Sequence, residues 1–239
     1  MDVKGKVTII TGASAGIGLA AARCFAAEGA RVALVARSSD KLEALARELR
    51  DKGIEALSVT ADMRSRESVN QMVERVHAHY GRLDILINNA GQAAAGTVAE
   101  VSMDDFQKII ALNVYGPVYA IQAAVPKMRE GGGGLIINIS SMVSKMQIPA
   151  LGAYAATKAA LNLISNTARV ELAPDNIRVI TVYPRMTATD FGKNSLGSQR
   201  LRQRQRPNAP EVVIDSPEHV AGKILEAAQK EVLEQFMDQ

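Results

Sequence analysis

Apolar residues run along this chain in two rhythms. Short, nearly unbroken runs rich in Val and Ile recur at Val7–Thr11, Arg31–Ala36, Ala56–Thr60, Leu83–Asn88, Leu135–Ser140 and Arg178–Tyr183. Runs of this kind suit strands buried on both faces, as in a parallel sheet. Between them lie amphipathic stretches: Leu42, Leu45, Ala46 and Leu49 fall on one side of a helix, and so do Val69, Met72, Val73 and Val76. Helix starts are marked as well. Asp40 with Glu43 and Ser102 with Asp105 have capping-box spacing, and Ser216 before Pro217 reads as a cap followed by proline at the first helical position. Strand–helix alternation from end to end predicts a doubly wound α/β fold, a parallel Rossmann-like sheet with helices on both faces. With no repeat and no linker to split it, the chain 1–239 is expected to form one domain.

Three stretches depart from this rhythm. Gly131–Gly134 reads as a flexible helix-to-strand connection. Thr187–Asp215 is long, polar and poorly periodic, and a connection of that length in a compact domain is often functional, so it is read as a substrate-binding loop. The final EVLEQFMDQ looks more helical than extended, so six strands are expected, with seven as the alternative.

Composition narrows the function classes. Apolar residues make up 47% and charged residues 22%, and the net charge of +3 is spread through interleaved acids and bases. That balance gives no case for a nucleic-acid or membrane partner. The single Cys24 makes no intrachain disulfide, which fits a reducing compartment. The opening MDVKGKVTII lacks a leader pattern, and no run reaches the ~18 consecutive apolar residues of a membrane span, so a cytoplasmic protein is expected. His77 and His79 point in different directions on a helix with no cysteine to join them, so no metal site is expected. Arg200, Arg202, Arg204 and Arg206 fall in opposed pairs on a helix; a solvated loop is the first reading and a guard for an anionic substrate the second.

Two motifs carry chemistry. TGASAGIG, Thr11–Gly18, follows the first strand and opens an alanine-rich helix. Glycines there let the backbone approach a diphosphate, and the helix N-terminus offers unpaired N–H groups. A tight turn with close helix–sheet packing explains the same residues, since the spacing is not G-x-G-x-x-G. In AYAATKAAL, Tyr154 and Lys158 share a helical face among alanines. Taken alone they suit a buried ring beside a snorkelling lysine. An ammonium fixed near a phenol also favours the phenolate, and is expected to lower its pKa from ~10.

TGASAGIG, NNAG at Asn88–Gly91 and YAATK at Tyr154–Lys158, in that order, resemble the short-chain dehydrogenase/reductase family. The resemblance runs from Lys6 to about Thr189 and returns weakly around Ser216–Gln229. It implies NAD(P)-dependent hydride transfer between an alcohol and a carbonyl. The family tetrad falls on Asn113, Ser141, Tyr154 and Lys158: Tyr154 exchanges the proton, Ser141 bonds the carbonyl oxygen, and Asn113 orders a water leading to Lys158. By the same resemblance the cofactor lies against Gly12, Ser14, Ala15, Gly16, Ile17 and Gly18, with Asp62 and Met63 flanking the adenine. Asn89, Ala90 and Gly91 line it, and Pro184, Arg185, Thr187 and Thr189 serve the nicotinamide side. Arg185 departs from the family, which commonly has glycine there; an arginine cannot relax the backbone as glycine does.

After the second strand, VALVARSS has Ala36 where NAD-using members carry an acid, followed by Arg37 and Ser38. A guanidinium and a hydroxyl suit the additional phosphate of NADP, so NADP(H) is the expected cofactor and NAD(H) the lesser one. The activity implied is that of a carbonyl reductase or alcohol dehydrogenase acting on a small molecule. A 3-oxoacyl thioester reductase and a non-catalytic NADP(H)-binding regulator are the alternatives. Gln92–Gly96, Met142–Leu151 and Thr187–Asp215 are expected to build the substrate pocket. The resemblance further implies a homodimer, with a tetramer as the larger alternative, through the regions Ser102–Met128 and Gly152–Leu172. Ala155, Ala156, Ala159 and Ala160 permit close approach there and would equally suit packing on the sheet.

Overall fold

The structure is a computed structural model that describes residues 1–197 and 213–237. Strands β1 (Val7–Thr11), β2 (Arg31–Ala36), β3 (Ala56–Thr60), β4 (Ile85–Asn88), β5 (Gly134–Ile139), β6 (Ile177–Tyr183) and β7 (Glu234–Phe236) form one sheet in the order β3-β2-β1-β4-β5-β6-β7. Every neighbouring pair is parallel. The helices are α1 (Gly16–Ala27), α2 (Ser39–Arg50), α3 (Arg66–Tyr80), α4 (Met103–Ile110), α5 (Gly116–Glu130), α6 (Gly152–Leu172) and α7 (Pro217–Lys230).

The near-continuous apolar runs are explained by two cores, one on each face of the sheet. Ile10, Val32, Leu34, Ile85, Ile87, Ile137 and Val182 meet α1, α2 and α7 on one side. Ile9, Ala33, Val35, Leu86, Ile136 and Val179 meet α3, α5 and α6 on the other. Successive strand residues face opposite ways, so burial of both faces leaves no polar alternation. Each such Val, Ile or Leu contributes about 1.5–3 kcal/mol by leaving water. The helical run Met103–Glu130 is long and apolar enough, by length and composition alone, to cross a membrane. In the fold its Ile109, Ala120, Ala124, Val125 and Met128 are buried.

Two sequence expectations are corrected. The C-terminal segment is not helical to its end: α7 stops at Lys230, Glu231 takes a left-handed conformation (φ 56°), and Glu234–Phe236 pairs with Thr181–Tyr183. Phe236 stacks on the Tyr183 ring (4.7 Å, 6°), and the Tyr183 hydroxyl donates to Glu234 at 2.6 Å. A strand this short has no periodicity of its own, and its partners supply the preference. The second correction concerns α2, which begins at Ser39 with Ser38 at the cap, so Asp40 lies inside the first turn. The Glu43 carboxylate accepts instead from Ser58 at 2.7 Å and Arg50 at 2.5 Å. Ser102 and Ser216 do cap their helices, accepting from the N–H groups of Asp105 and His219.

Candidate active site

The sheet order reverses at β1, so the loops after β1 and β4 part and leave a crevice at the carboxyl ends of the strands. Thr11 closes its floor. The Thr11 hydroxyl accepts from the N–H groups of Asn89 and Ala90, both at 3.0 Å, and Asn89 Nδ2 donates to the Thr11 carbonyl at 2.8 Å. Gly12 has φ +73°, and a Cβ there would lie 2.8 Å from Asn89 Nδ2. A Cβ on Gly18 would collide with the Gly12 carbonyl oxygen. Any side chain at either position would drive α1 off the loop. Ser14 and Ala15 complete the turn, and Gly16, Ile17 and Gly18 open α1, whose cap residue Ala15 has no side chain to bond the first-turn N–H groups. A close-approach glycine loop feeding an uncapped helix N-terminus fits a diphosphate.

At the far end of the crevice, Ala61 N–H donates to the Ala36 carbonyl at 3.0 Å, which brings the ends of β2 and β3 together. Arg37 and Ser38 therefore adjoin Asp62. The Asp62 carboxylate is gripped by Arg64, Nε to Oδ1 at 3.0 Å and Nη2 to Oδ2 at 2.6 Å, a pairing that holds its pKa below the ordinary carboxylate range. Met63 is buried beside it. Nothing in the sequence pattern singled out Arg64.

Asn113, Ser141, Tyr154 and Lys158 converge from three elements. Asn113 sits in a π-helical turn, Ala111–Tyr115, between α4 and α5, a distortion that re-aims side chains. Its Nδ2 donates to the Gln92 carbonyl at 2.8 Å and Thr157 Oγ1 at 3.0 Å, and its Oδ1 accepts from Gln92 N–H at 3.0 Å. Gly91 lies against it: a Cβ there would be 3.3 Å from Asn113 Oδ1 and 3.6 Å from Lys158 Nζ. Ser141 follows β5, and its hydroxyl acts on that of Tyr154, lowering the phenol's proton affinity. Lys158 Nζ donates to the Ile139 carbonyl at 2.7 Å and stands 6.0 Å from the Tyr154 ring centroid.

Burial governs the proton affinities of this group. Tyr154 and Lys158 are 8% and 4% exposed. Burial pushes the Tyr154 phenol up to about 12, against a smaller lowering by Ser141, and brings the Lys158 ammonium down to about 8. Among the protein's own groups, loss of water disfavours the phenolate more than Ser141 favours it; the lowering expected of Lys158 is with an oxidised nicotinamide beside the phenol. Burial thus favours the protonated phenol and the neutral lysine.

Pro184 accepts from Met142 N–H at 2.9 Å, joining the end of β6 to the turn after Ser141. Arg185 does not adopt a left-handed conformation, so its backbone needs no glycine. Thr187 Oγ1 donates to the Arg185 carbonyl at 3.1 Å. Thr189 lies over the glycine loop, its Cγ2 3.0 Å from where a Gly16 Cβ would be. Phe191, not anticipated from sequence, places its ring 5.6 Å from that of Tyr154. Ala95 N–H donates to the Leu196 carbonyl and Gln92 Nε2 to that of Asn194, both at 2.8 Å, so the start of the long segment lies along Gln92–Ala95. Arg200, Arg202, Arg204 and Arg206 lie outside the described residues. His77 meets Glu130 at 3.6 Å, and among the described residues no three His, Cys, Asp or Glu side chains gather as for a metal.

Residues 6–199 match the family described as short chain dehydrogenase. The chain belongs to the short-chain dehydrogenase/reductase family and is an oxidoreductase of that family. It is 35% identical over 232 residues to an uncharacterized oxidoreductase of Thermotoga maritima, a match covering 95% of this chain and 92% of that protein. It is 33% identical over 225 residues to glycine betaine reductase ATRR of Emericella nidulans, covering 94% of this chain but only 18% of that protein's length. Among solved structures it is similar to L-sorbose reductase from Gluconobacter frateurii complexed with NADPH and L-sorbose: 36% identity, TM-score 0.86, covering 100% of this chain and 97% of that one.

Proposed function

We propose that this oxidoreductase reduces a small carbonyl compound to an alcohol with NADP(H), NAD(H) serving less well, and that Tyr154 is its proton donor. One observation carries the reading. The buried Tyr154 phenol and Lys158 ammonium and the half-buried Ser141 hydroxyl come together at the carboxyl ends of the strands, beside the glycine loop. Gly12, Ser14, Ala15, Gly16, Ile17 and Gly18 would hold the cofactor diphosphate, and Arg37 and Ser38 the additional phosphate. Asp62 and Met63 would flank the adenine, Asn89, Ala90 and Gly91 the centre, and Pro184, Arg185, Thr187 and Thr189 the nicotinamide side. When bound, the nicotinamide supplies a hydride.

The chain's own residues handle the oxygen. Ser141 donates a hydrogen bond to the carbonyl oxygen as negative charge develops there. Tyr154 delivers its proton to that oxygen. Lys158 restores the phenol's proton, and Asn113, its carboxamide locked by Gln92 and Thr157, orders the water that leads to Lys158. A phenol kept protonated by burial suits the direction of reduction.

A second copy of the chain would cover the groove of about 430 Å³ between α5 and α6, lined by Val118, Ile121, Leu163 and Ile164. Leu163 and Val170 are 68% and 75% exposed on α6, apolar side chains that a second copy would take out of water. We assign the protein to the cytoplasm as a single catalytic domain.

The test is a panel of benzaldehyde, ethyl acetoacetate, L-sorbose and acetoacetyl-coenzyme A with NADPH, followed at the nicotinamide absorbance. Turnover of a simple aldehyde or ketone is expected. Turnover of the thioester alone would favour the 3-oxoacyl reductase, and tight NADPH binding with no turnover at all would favour a regulator.

A further inference from the structure

Helix α6 carries a further polar residue one turn beyond Lys158. Asn162 is 8% exposed, on the buried side of the helix that also holds Tyr154 and Lys158. Its Nδ2 donates to Ser144 Oγ at 2.9 Å, and its Oδ1 accepts from Ser140 Oγ at 2.5 Å. The Ser144 hydroxyl passes the connection on, donating to the Ser141 carbonyl at 2.7 Å, and Ser144 N–H reaches the same oxygen at 3.1 Å. One carboxamide thereby holds the residues on either side of Ser141.

Ser141 needs such a hold. The sheet fixes its predecessor, since Ser140 N–H donates to the Val182 carbonyl at 2.8 Å. Ser141 itself lies past the end of β5, where the chain turns into the short 3-10 segment Met142–Lys145. Its hydroxyl accepts from Val143 N–H at 3.3 Å, a long contact within that same turn. The turn therefore aims the hydroxyl, and Asn162 ties the turn to α6, the helix that carries Tyr154 and Lys158. A buried amide is costly unless both its ends are bonded, and both ends of Asn162 are spent on this turn.

We propose that Asn162, acting through Ser144, is a positioning residue that aims the Ser141 hydroxyl at the substrate oxygen. This rests on the reading above that Ser141 binds that oxygen. Removing the carboxamide leaves the Ser140 hydroxyl, 3% exposed, without its acceptor and frees the Ser144 hydroxyl to turn, so the 141–145 turn slackens. Small misplacements of a group that binds the reacting atom cost far more in rate than in binding.

The experiment compares Asn162→Ala, Ser144→Ala, Ser144→Thr and Ser141→Ala. It uses NADPH with ethyl acetoacetate as probe, or L-sorbose should that be reduced faster, and measures kcat, KM, NADPH affinity and thermal midpoint. Asn162→Ala and Ser144→Ala are expected to lower kcat roughly 10- to 100-fold with KM and NADPH affinity held within about threefold. Ser144→Thr, which keeps the hydroxyl, is expected to recover most of the turnover that Ser144→Ala loses. In a Ser141→Ala background, followed in single turnovers at excess enzyme, Asn162→Ala should lower the rate by less than about twofold, because the group it aims is gone. Multiplicative losses in that background, or unchanged kcat in Ser144→Ala, would overturn the proposal while leaving Ser141 its role. Unchanged kcat in Ser141→Ala would instead overturn the role of Ser141 and the proposal with it. Ser144→Ala lies in a part-buried turn and keeps the test open should Asn162→Ala fail to fold.

Discussion

Arg185 and Asp215, 30 residues apart, form a two-pronged ion pair, with Nε to Oδ2 at 3.1 Å and Nη2 to Oδ1 at 2.9 Å. The Asp215 carboxylate is almost fully buried. Backbone bonds reinforce the junction: Asp215 N–H donates to the Met186 carbonyl at 2.8 Å, and Ala188 N–H to the Asp215 carbonyl at 2.9 Å. The pair thus joins the two ends of the long segment, beside Thr187 and Thr189. The arginine that replaces the family's usual glycine has a partner of its own.

Arg185→Gly should lower the thermal midpoint and weaken NADPH binding, because Asp215 would keep a buried charge without its guanidinium. A double-mutant cycle with Asp215→Asn is expected to give a coupling of about 1–2 kcal/mol in urea unfolding. Strict additivity would mean that the two residues act separately.

Tyr154→Phe keeps the ring against Phe191 and removes the hydroxyl. Turnover should fall roughly 100-fold or more while NADPH affinity, read by fluorescence titration, barely moves. Activity near that of the wild type would rule out the phenol as proton donor.

Cofactor choice is expected to sit at the end of β2. The double change Ala36→Asp with Arg37→Ile should weaken NADPH binding by roughly ten- to a hundredfold and spare NADH. Equal binding of both cofactors, before and after the change, would remove Arg37 as the selector.

Lys158 makes stability depend on pH. Its pKa falls from 10.5 to about 8 on burial, so between those values the unfolded chain still holds a proton that the folded one has released. Stability contributed by this group therefore rises with pH across that window, by on the order of 1 kcal/mol per pH unit, and is flat below it. Tyr154 works the other way from pH 10 to about 12, because its folded pKa is raised. Urea midpoints of wild type and Lys158→Met, compared at pH about 8 and about 10, should show the rise in wild type alone. The tyrosine contribution is common to both, so parallel curves would contradict the burial-lowered lysine.

Leu163→Asp puts a charge into the groove between α5 and α6. Sedimentation should show wild type as a dimer or larger at micromolar concentration and the variant shifted toward monomer. A wild-type monomer would show that α5 and α6 face water.

Strands β1 to β6 could be read from the chain because burial on both faces turns each into a solid apolar run, a signal that is local and needs no partner. The glycine loop was legible for a related reason: only glycine permits the backbone contacts that Gly12 and Gly18 make, so the constraint shows in the residue type itself. Helical spacing puts Tyr154 and Lys158 on one face, but their reading as site residues, with Asn113 and Ser141, came from the resemblance that TGASAGIG, NNAG and YAATK carry together. Tertiary structure decided the rest, wherever the decisive partner was distant in sequence. Glu234–Phe236 is a strand because Thr181–Tyr183 lies beside it, and Asp215 is buried because Arg185 reaches it. Asn162 matters to the candidate site through serines that the chain brings back to α6 from 18 and 22 residues away. The proton affinity of Tyr154 has the same origin: spacing gives the distance to a charge, but only the packed fold determines how much water is left around the phenol.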